Sequence, residues 1–382
     1  MKVYFDNAAT TPIRKEVIRE MNHLMLNTYG NPSSTHSYGR TAKTLIENSR
    51  KEIANHLNAN PQEIIFTSGG TESDNMILRS AVEYLNITTI ITSKIEHHAI
   101  LNVVNFLSTK NIKIKYVDLN HNGTINLVHL KSLLIEDESE KLVSLMHVNN
   151  EIGSILDIRN VSKICQETSA LFHTDAVQSI GRYSFDLEKK PIDFLSASAH
   201  KFHGPKGIGF SYVRKNSGLK SFIIGGEQER GLRAGTESVY SIVGMCKALS
   251  IAYSNLENET NYIKNLKNHF VSNLRGLFPE IYFNGDSDGL DKNAYTIVNV
   301  SLPIVSEKID LLNFHLDLKG IACSKGSACQ SGSSQGSHVL NEIKIKNKNW
   351  PSLRFSFSIY NSIQEIDYVI KTLESFVKES VS

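Results

Sequence analysis

The sequence lacks the features that mark secreted, membrane-spanning or metal-stapled proteins. It contains only four cysteines among 382 residues and no Cys-x-x-Cys pair, which argues against a disulfide framework and against structural zinc. It has no run of about 18 apolar residues, and its N-terminus reaches Asp6 too soon for a signal-peptide apolar region. These absences predict a cytoplasmic protein without a membrane span or a bound metal.

The sequence also has little excess of either positive or negative charge. The formal net charge is +2, and the 21% of residues that are charged are scattered along the chain. Without a basic patch, the chain has no electrostatic footprint for direct binding to nucleic acid or to an anionic membrane. Its length suits one large and one smaller domain, with a core that needs no disulfide.

Between about residues 15 and 255, short apolar runs alternate with helical stretches. The runs cover residues 64–66, 88–92, 112–117, 142–146, 171–173 and 194–196. Strands separated by helices predict an α/β fold, with a mostly parallel sheet covered by helices on both faces. Functional side chains are then expected at the carboxyl ends of the strands.

The pattern changes after about residue 255, where a long helical stretch is followed by several strand-like segments and a last helix near residues 364–377. We predict a large domain over residues 15–255 and a smaller α+β domain formed by residues 1–14 and 256–382. The Gly- and Ser-rich stretch 326–337 contains Cys329. Such a composition is poor at forming regular structure.

The segment Ser-Ala-Ser-Ala-His-Lys at residues 196–201 follows an apolar strand. A lysine on a turn of small and hydroxyl residues suits a Schiff base to a phosphorylated aldehyde, because desolvation lowers the pKa of the amine and exposes its nucleophilic form. Ser198 and His200 are then candidate phosphate donors. Taken alone, the same pattern also fits an ordinary lysine on a surface turn.

The segment His-Thr-Asp-Ala-Val-Gln at residues 173–178 ends another apolar strand. A pyridine ring is the better electron sink when its nitrogen is protonated, and a buried carboxylate such as Asp175 favours that state. Gln178 is placed to meet the phenolic oxygen of the same ring. The alternative is that Asp175 caps the following helix.

The segment Thr-Ser-Gly-Gly-Thr-Glu-Ser at residues 67–73 joins a strand to a helix. Gly70 lets the backbone approach a phosphate, and the start of the helix supplies free N–H groups near Thr71. The spacing matches neither a Walker loop nor the dinucleotide fingerprint. A single phosphate is therefore the ligand that the segment favours over a bare helix start.

The segment Glu-His-His at residues 96–98 follows the run at 88–92. An imidazole such as His97 can stack over a pyridine ring and can move a proton. The alternatives are an exposed histidine pair or a zinc site. Zinc is disfavoured because no third ligand stands at helical spacing nearby.

These segments, in this order, resemble the cysteine desulfurase branch of the fold-type-I pyridoxal-phosphate enzymes, the class V aminotransferase group. The resemblance covers nearly the whole chain, and its further motifs lie at residues 4–12, 29–33, 147–153, 229–236, 325–329 and 354–356. It implies fold type I, pyridoxal 5'-phosphate (PLP) as the cofactor and conversion of L-cysteine to L-alanine. The sulfur is expected to pass to Cys329 as a persulfide and then to an acceptor.

The resemblance also assigns roles to single residues. Lys201 is expected to carry the cofactor and to move the proton at the substrate α-carbon. The expected cofactor contacts are Asp175 at the ring nitrogen, Gln178 at the phenolic oxygen, His97 on the ring face, and Gly70, Thr71, Ser198 and His200 at the phosphate. Asn150 and Arg354 are expected to bind the substrate carboxylate, for which a guanidinium is well suited. In the family, the threonine that corresponds to Thr236 reaches the phosphate from a second subunit, which implies a homodimer.

Cys329 decides which reaction the chain performs. A thiolate that attacks the substrate sulfur yields a persulfide, and the thiol must first lose its proton, which His97 is placed to accept. The surrounding Gly- and Ser-rich stretch gives the cysteine reach, as in the mobile-loop subgroup. The alternative is a loop thiol without a role, whereas Cys323, Cys165 and Cys246 are interpreted as core residues.

The sulfur acceptor is not named by the sequence, and iron–sulfur cluster biogenesis and tRNA thiolation both remain open. Housekeeping bacterial desulfurases carry a docking tail beyond the last helix, whereas this sequence ends at Ser382. Whether the chain docks to an iron–sulfur scaffold protein is therefore left open. The competing functions are a selenocysteine lyase, another enzyme of the class V group, and a non-catalytic partner in a sulfur-assembly complex.

Overall fold

The structure, a computed structural model, describes residues 1–189, 191–290, 292–304, 309–324, 336–347 and 350–381, with the side chains of 309, 310 and 378–381 left aside. The strands are β1 (Val3–Tyr4), β2 (Ile64–Thr67), β3 (Thr89–Thr92), β4 (Lys113–Tyr116), β5 (Lys141–Ser144), β6 (Leu171–Asp175), β7 (Phe194–Ser198), β8 (Gly209–Val213), β9 (Tyr282–Phe283), β10 (Ile297–Ser301), β11 (Ile321–Ala322) and β12 (Ser352–Ser356). The α-helices are α1 (Lys15–Asn27), α2 (Ser37–Leu57), α3 (Gly70–Tyr84), α4 (His98–Ser108), α5 (Leu127–Ile135), α6 (Ile158–Glu167), α7 (Val239–Ser254), α8 (Leu256–Leu277), α9 (Ile309–Leu318), α10 (His338–Glu342) and α11 (Ile363–Val381).

The large sheet has the strand order β2-β8-β7-β6-β5-β3-β4. Strands β7, β6, β5, β3 and β4 pair in parallel, whereas β8 runs antiparallel between β7 and β2. This arrangement confirms the predicted α/β fold with a mostly parallel sheet. The parallel strands end at one edge of the sheet, where loops lead into the following helices.

The strands of the large sheet are apolar on both faces because helices cover both. In β3, all four residues are buried, and neighbouring residues point to opposite faces. Ile91 therefore packs into one core cluster together with α2 and α7, while Ile90 packs into the other with α3 and α4. Burial on both faces explains why the sequence shows short continuous apolar runs rather than alternation.

The smaller sheet has the order β12-β10-β9, and all of its pairings are antiparallel. It shares a separate apolar core with α8 and α11, in which Phe270 meets Phe355 and Phe357 edge to face. The N-terminal residues join this core through Phe5, because β1 pairs in parallel with β11. The domain boundaries predicted from the sequence remain a prediction.

None of the helices in the described ranges is both long enough and apolar enough to cross a membrane.

Candidate active site

A cavity of about 250 Å³ lies at the carboxyl ends of the large-sheet strands, against β12 of the smaller sheet. Most of the site residues predicted from the sequence line it, namely Gly70, Thr71, His97, Asn150, Asp175, Gln178, Ser198, His200, Lys201 and Arg354. Residues from distant parts of the chain meet here because parallel strands end at a common edge.

Lys201 occupies the single 3-10 turn, Ala199–Lys201, that follows β7. Its Nζ donates hydrogen bonds to the carbonyl oxygens of Ala8 at 2.6 Å and Ala9 at 2.8 Å. Its own carbonyl accepts from Arg182 Nη2 at 2.9 Å. The N-terminal segment thus fixes the amine at the cavity wall, and Arg182 fixes the backbone of the turn.

Asp175 is the last residue of β6 and is 6% exposed. Its Oδ1 accepts a hydrogen bond from the backbone N–H of Val177 at 2.9 Å. Burial raises the pKa of Asp175 to about 6, although the Val177 N–H and the Lys201 charge act in the opposite direction. Near pH 7 the carboxylate is therefore largely ionised and suits a cationic ring nitrogen.

Gln178 stands one turn beyond Asp175 and is buried. Its Nε2 donates to the Ala8 carbonyl at 2.8 Å, and its Oε1 accepts from Arg182 at 3.2 Å. A primary amide has two N–H groups. The second N–H of Gln178 thus remains for a group in the cavity.

The opposite end of the cavity is formed where β2 leads into α3. The N-cap residue Gly69 has φ 150° and offers no side-chain acceptor to the first turn. A Cβ atom at position 70 would lie only 2.6 Å from Val177 Cγ2. Any residue other than glycine would therefore have to displace Val177. The N–H groups at the helix start and the exposed Thr71 form a site for an anion.

Ser198 and His200 face the same end from β7 and the turn that follows it. His200 Nδ1 lies 3.2 Å from Thr10 Oγ1. Burial first, and then the charges of Lys201 and Lys206, lower the pKa of His200 to about 4. The imidazole is therefore neutral near pH 7, and when Thr10 donates to Nδ1, Nε2 carries the remaining proton.

His97 is the N-cap residue of α4, where its Nδ1 accepts from the Ala99 N–H at 3.1 Å. Burial, followed by the charge of Lys201, lowers the pKa of His97 to about 4. The ring is thus neutral, with its proton on Nε2, and its orientation is fixed by the cap. A group with this pKa is a weak base, and the role of His97 as the acceptor of the thiol proton remains a prediction.

Arg354 lies on β12 and is 1% exposed. Its Nη1 donates to the Asn150 carbonyl and its Nη2 to Asp6 Oδ1, both at 2.8 Å. Among the described residues, Arg354 Nε has no hydrogen-bond partner. A buried guanidinium donor without a partner in a cavity wall suits an incoming carboxylate.

Two predicted site residues remain to be placed, Cys329 and Thr236. Cys329 lies outside the described residues. Thr236 is exposed and does not line the cavity. The other cysteines are buried or half-buried, and burial raises the pKa of Cys165, Cys246 and Cys323 to about 12, so these groups remain protonated thiols.

Sequence reasoning missed several residues of the site. The carbonyl oxygens of Ala8 and Ala9 hold Lys201, but a backbone acceptor leaves no mark on residue type. Asp74 lines the cavity one helical turn after Gly70, and the i, i+4 spacing from Gly70 was the signal that could have found it. Asp6 was part of a recognised motif without an assigned role.

The end of the stretch that contains Cys329 in sequence is tied to the cavity wall. Ser337 Oγ donates to Glu151 Oε2 at 2.5 Å, and His338 Nε2 lies 3.0 Å from the Glu96 carbonyl oxygen. Val339 packs on the large domain within the cluster around Ile95 and Ile152. Helix α10 therefore contacts the two turns that carry His97 and Asn150.

The cavity residues fit PLP in their donor chemistry. An open helix start with hydroxyl donors suits a phosphate, a buried carboxylate suits a pyridinium, and a fixed lysine amine suits an aldehyde. The orphaned Nε of Arg354 supplies a contact for the carboxylate of a substrate. PLP would thus be held by α3 at one end and by Asp175 at the other.

Comparison with known proteins agrees with this chemistry. Residues 3–369 match the family model described as aminotransferase class-V. The chain is 41% identical to the cysteine desulfurase IscS of Dictyoglomus turgidum, over 99% of this chain and 95% of that protein. Among solved structures, a NifS-like protein superposes with a TM-score of 0.90 at 37% identity, covering 99% of this chain and all of that one. SspA in complex with cysteine superposes with a TM-score of 0.81 at 31% identity, covering 94% of this chain and all of that one.

Proposed function

The chain belongs to the class-V aminotransferase family and is a PLP-dependent cysteine desulfurase, and from this premise we propose that Lys201 carries the cofactor and that Cys329 receives the sulfur. One observation supports this proposal above all. A single cavity joins the fixed amine of Lys201, the buried carboxylate of Asp175 and the orphaned Nε of Arg354. These groups are what the substrate amino acid and the cofactor ring require.

The net reaction converts L-cysteine and the Cys329 thiol into L-alanine and a Cys329 persulfide. The Cys329 thiolate attacks the substrate sulfur, an S–S bond forms, and the C–S bond breaks with its electron pair remaining on the substrate carbon skeleton. Protonation of that skeleton yields alanine. Bound PLP supplies the electron sink that lets these carbon-centred steps proceed.

The chain's own residues position the substrate and move its protons. Arg354 and Asn150 hold the substrate carboxylate, which orients the α-carbon toward Lys201. Lys201 Nζ, once displaced from the Ala8 and Ala9 carbonyls, accepts and returns the α-proton. The neutral ring of His97 covers one face of the site and excludes water from it.

We infer that the working enzyme is a homodimer and that the phosphate end is completed by Thr236 of the partner subunit. Thr236 is exposed and lies outside the cavity of its own chain. Large apolar side chains are also exposed, with Leu26 at 81% in α1, Tyr29 at 76% just after it and Ile224 at 89% in the segment that precedes Thr236. Exposed apolar side chains of this size are compatible with a subunit contact.

Mixing two variants tests this arrangement. Thr236→Ala and Lys201→Ala proteins are unfolded and refolded together, and alanine formation is measured at a limiting PLP concentration that leaves Thr236→Ala largely without cofactor. If Thr236 acts across the interface, the mixed dimer contains one intact site, and activity rises well above that of either parent. A mixture as inactive as its parents, or a monomer in sedimentation, contradicts the proposal.

We further infer that the persulfide passes to a protein thiol in the cytoplasm. The relative named IscS supports iron–sulfur cluster assembly as the destination, while tRNA thiolation remains a second route. Transfer of labelled sulfur from the loaded enzyme to purified acceptors distinguishes the two. A persulfide that small thiols reduce to sulfide, but that passes to none of the purified acceptors, would contradict delivery to a protein.

The assignment of Cys329 is tested with the PLP-loaded enzyme and L-cysteine. We expect one alanine per persulfide in a single turnover, with the added sulfur on the peptide that contains Cys329. Cys329→Ala should keep the visible absorbance of PLP but lose alanine formation, and Cys165→Ala is the matched control. Undiminished alanine formation by Cys329→Ala would contradict the proposal, and undiminished release of selenium from selenocysteine by the same variant would favour a lyase.

A further inference from the structure

The cavity wall beside Asp175 holds a second carboxyl group, that of Asp74. This residue lies on α3 one turn after Gly70 and lines the same cavity. It is 1% exposed. Within the described part of the chain, its Oδ1 has no hydrogen-bond partner. A carboxyl oxygen that is buried and unsatisfied in the wall of an active site requires an explanation.

The polar groups around Asp74 are neutral. His173 Nε2 lies 3.5 Å from Asp74 Oδ1, but burial lowers the pKa of His173 to about 3, so this contact is not an ion pair. His173 lies instead 2.9 Å from Ser144 Oγ and 3.1 Å from Ser196 Oγ. The Ser196 hydroxyl also hydrogen-bonds to Asp74. These contacts supply polarity but no positive charge.

The other titratable groups that face Asp74 are themselves acidic. Asp175 faces it from β6, and Glu96 faces it from the turn after β3. Glu96 is held by Ser93 Oγ at 2.7 Å and by the Met146 N–H at 2.9 Å. Lys201, a cation that lines the cavity together with Arg354, acts on Asp175 and lowers its pKa.

Two buried carboxyl groups that share one site do not both ionise easily. Burial, with the charge of Asp175 as the second cause, raises the pKa of Asp74 well above its ordinary value. Asp175 remains the easier of the two to ionise because it receives the Val177 N–H and lies near Lys201. The proton of the pair therefore belongs on Asp74.

We propose that Asp74 is a neutral, proton-bearing carboxyl group that acts as a positioning residue for Asp175, so that Asp175 remains the ionised carboxylate at the ring nitrogen of the cofactor. This inference rests on the proposed function for the role of Asp175. An ionised Asp74 would disfavour the charge on Asp175, and a protonated Asp175 has no charge with which to hold a pyridinium.

Two variants of the full-length enzyme separate this role from a merely structural one. Asp74→Asn keeps the shape and the hydrogen-bonding capacity but is uncharged at every pH. Asp74→Leu has a similar size but cannot hydrogen-bond. The readouts are the dissociation constant of PLP, the ¹⁵N chemical shift of the ring nitrogen in bound ¹⁵N-labelled PLP, and the pH dependence of the unfolding constant.

For cofactor binding, we expect Asp74→Asn to keep the ring nitrogen protonated from pH 6 to 9 and the PLP dissociation constant within about twofold. Asp74→Leu should weaken PLP binding about tenfold, because Ser196, which pairs with Asp175 between β6 and β7, loses its hydrogen bond to the Asp74 carboxyl group. A large loss of affinity in Asp74→Asn would mean that a negative charge at this position is needed. Equal affinity in both variants would mean that the carboxyl makes no polar contribution. Either result overturns the proposal.

The pH dependence of stability tests the proton directly. The raised pKa of Asp74 means that the folded protein binds a proton that the unfolded chain releases. Its contribution to stability is complete below the unfolded pKa near 4 and is lost as pH rises toward the folded pKa. Because of Asp74, the unfolding constant of the unmodified protein should rise with pH by up to about tenfold per pH unit in this window. Asp74→Asn should abolish that rise. Identical slopes in the two proteins would overturn the proposal.

The outcome is distinguishable from a failure of the proposed function. If the enzyme formed no alanine from cysteine, the stability slope would still report whether Asp74 carries a proton. Asp175→Asn is the second control, because it should deprotonate the ring nitrogen whatever the substrate is. A ring nitrogen that stays protonated in Asp175→Asn would contradict the role of Asp175 instead.

Discussion

The two ends of the cavity, which we propose hold the ring and the phosphate of the cofactor, differ in their exposure to water. At the ring end, Asp175, Asp74 and His173 are almost fully buried on β6 and α3. At the phosphate end, Thr71 is exposed and the donors are hydroxyls and the N–H groups at the start of α3. We propose that the ring end selects a single proton state by excluding water, whereas the phosphate end binds an anion in part through Thr71, which water also reaches.

This difference predicts how each end responds to substitution. A buried polar group that loses its partner is left with the full cost of desolvation, whereas an exposed group exchanges a lost hydrogen bond for one to water. Changes at the ring end should therefore be large and pH-dependent. Changes at the phosphate end should be modest and confined to cofactor affinity.

The largest effect is expected for Asp175→Asn, which removes the buried carboxylate from the ring end. Alanine formation should fall about 100-fold, because a loss of two pKa units at the ring nitrogen corresponds to that factor. Measurement of kcat and of the ¹⁵N shift of the bound ring nitrogen checks this. An active Asp175→Asn enzyme with an unprotonated ring nitrogen would break the comparison.

The next effect concerns Arg354, which is buried like the residues of the ring end but is proposed to contact the substrate. Arg354→Lys keeps the charge and loses the Nε donor, so KM for cysteine should rise about tenfold. The PLP dissociation constant should change little, because the proposed role of Arg354 is at the substrate. Ser352→Ala, on the same strand, is a control for general damage to β12. An equal loss of PLP affinity would place Arg354 in the cofactor site instead.

At the phosphate end, Thr71→Val removes one exposed hydroxyl and keeps the shape of the side chain. The PLP dissociation constant should rise only about fivefold, because a hydrogen bond to a charged group contributes about 1.5 kcal/mol or more and water replaces part of it. Added inorganic phosphate should compete for the site in both proteins. A loss of PLP affinity in Thr71→Val as large as the 100-fold loss of activity expected for Asp175→Asn would contradict the proposed difference between the two ends of the cavity.

The smallest effect on activity is expected for Glu96→Gln, and the change in this variant is instead measured as stability. Burial raises the pKa of Glu96 to about 8, so its contribution to stability is complete below pH 4.5 and is lost as pH rises to about 8. The unfolding constant of Glu96→Gln should therefore depend less on pH in this window. Urea unfolding at half-unit pH steps checks it, with the exposed Glu83→Gln as control.

The fold followed from the sequence because its strands are buried on both faces. Apolar runs such as those at residues 88–92 and 171–173 became β3 and β6, and the helices between such runs favour the parallel pairing that both strands show. The helix bounds were less exact, since the apolar spacing predicts an amphipathic helix from Arg40 to Leu57, whereas α2 begins at Ser37. The His36 cap, which accepts from the Gly39 N–H, sets that boundary.

Much of the site also followed from the sequence, because Gly70, Asp175 and Lys201 each stand at the end of a strand. Contacts that use backbone atoms did not follow, and the Ala8 and Ala9 carbonyls at Lys201 are the example. Nor did the proton state of the buried acids. It depends on which groups share a water-free space, and spacing along the chain does not encode that.

We propose that Lys201 binds the cofactor covalently, and that the cofactor spans the two ends of the cavity. The most direct measurement is borohydride reduction of the PLP-loaded enzyme, followed by peptide mass mapping, with Lys201→Arg as control. The account predicts a phosphopyridoxyl mass on the peptide that contains Lys201 and none in the variant. The same mass on another lysine, or an unmodified Lys201 peptide in a PLP-loaded protein, would contradict it.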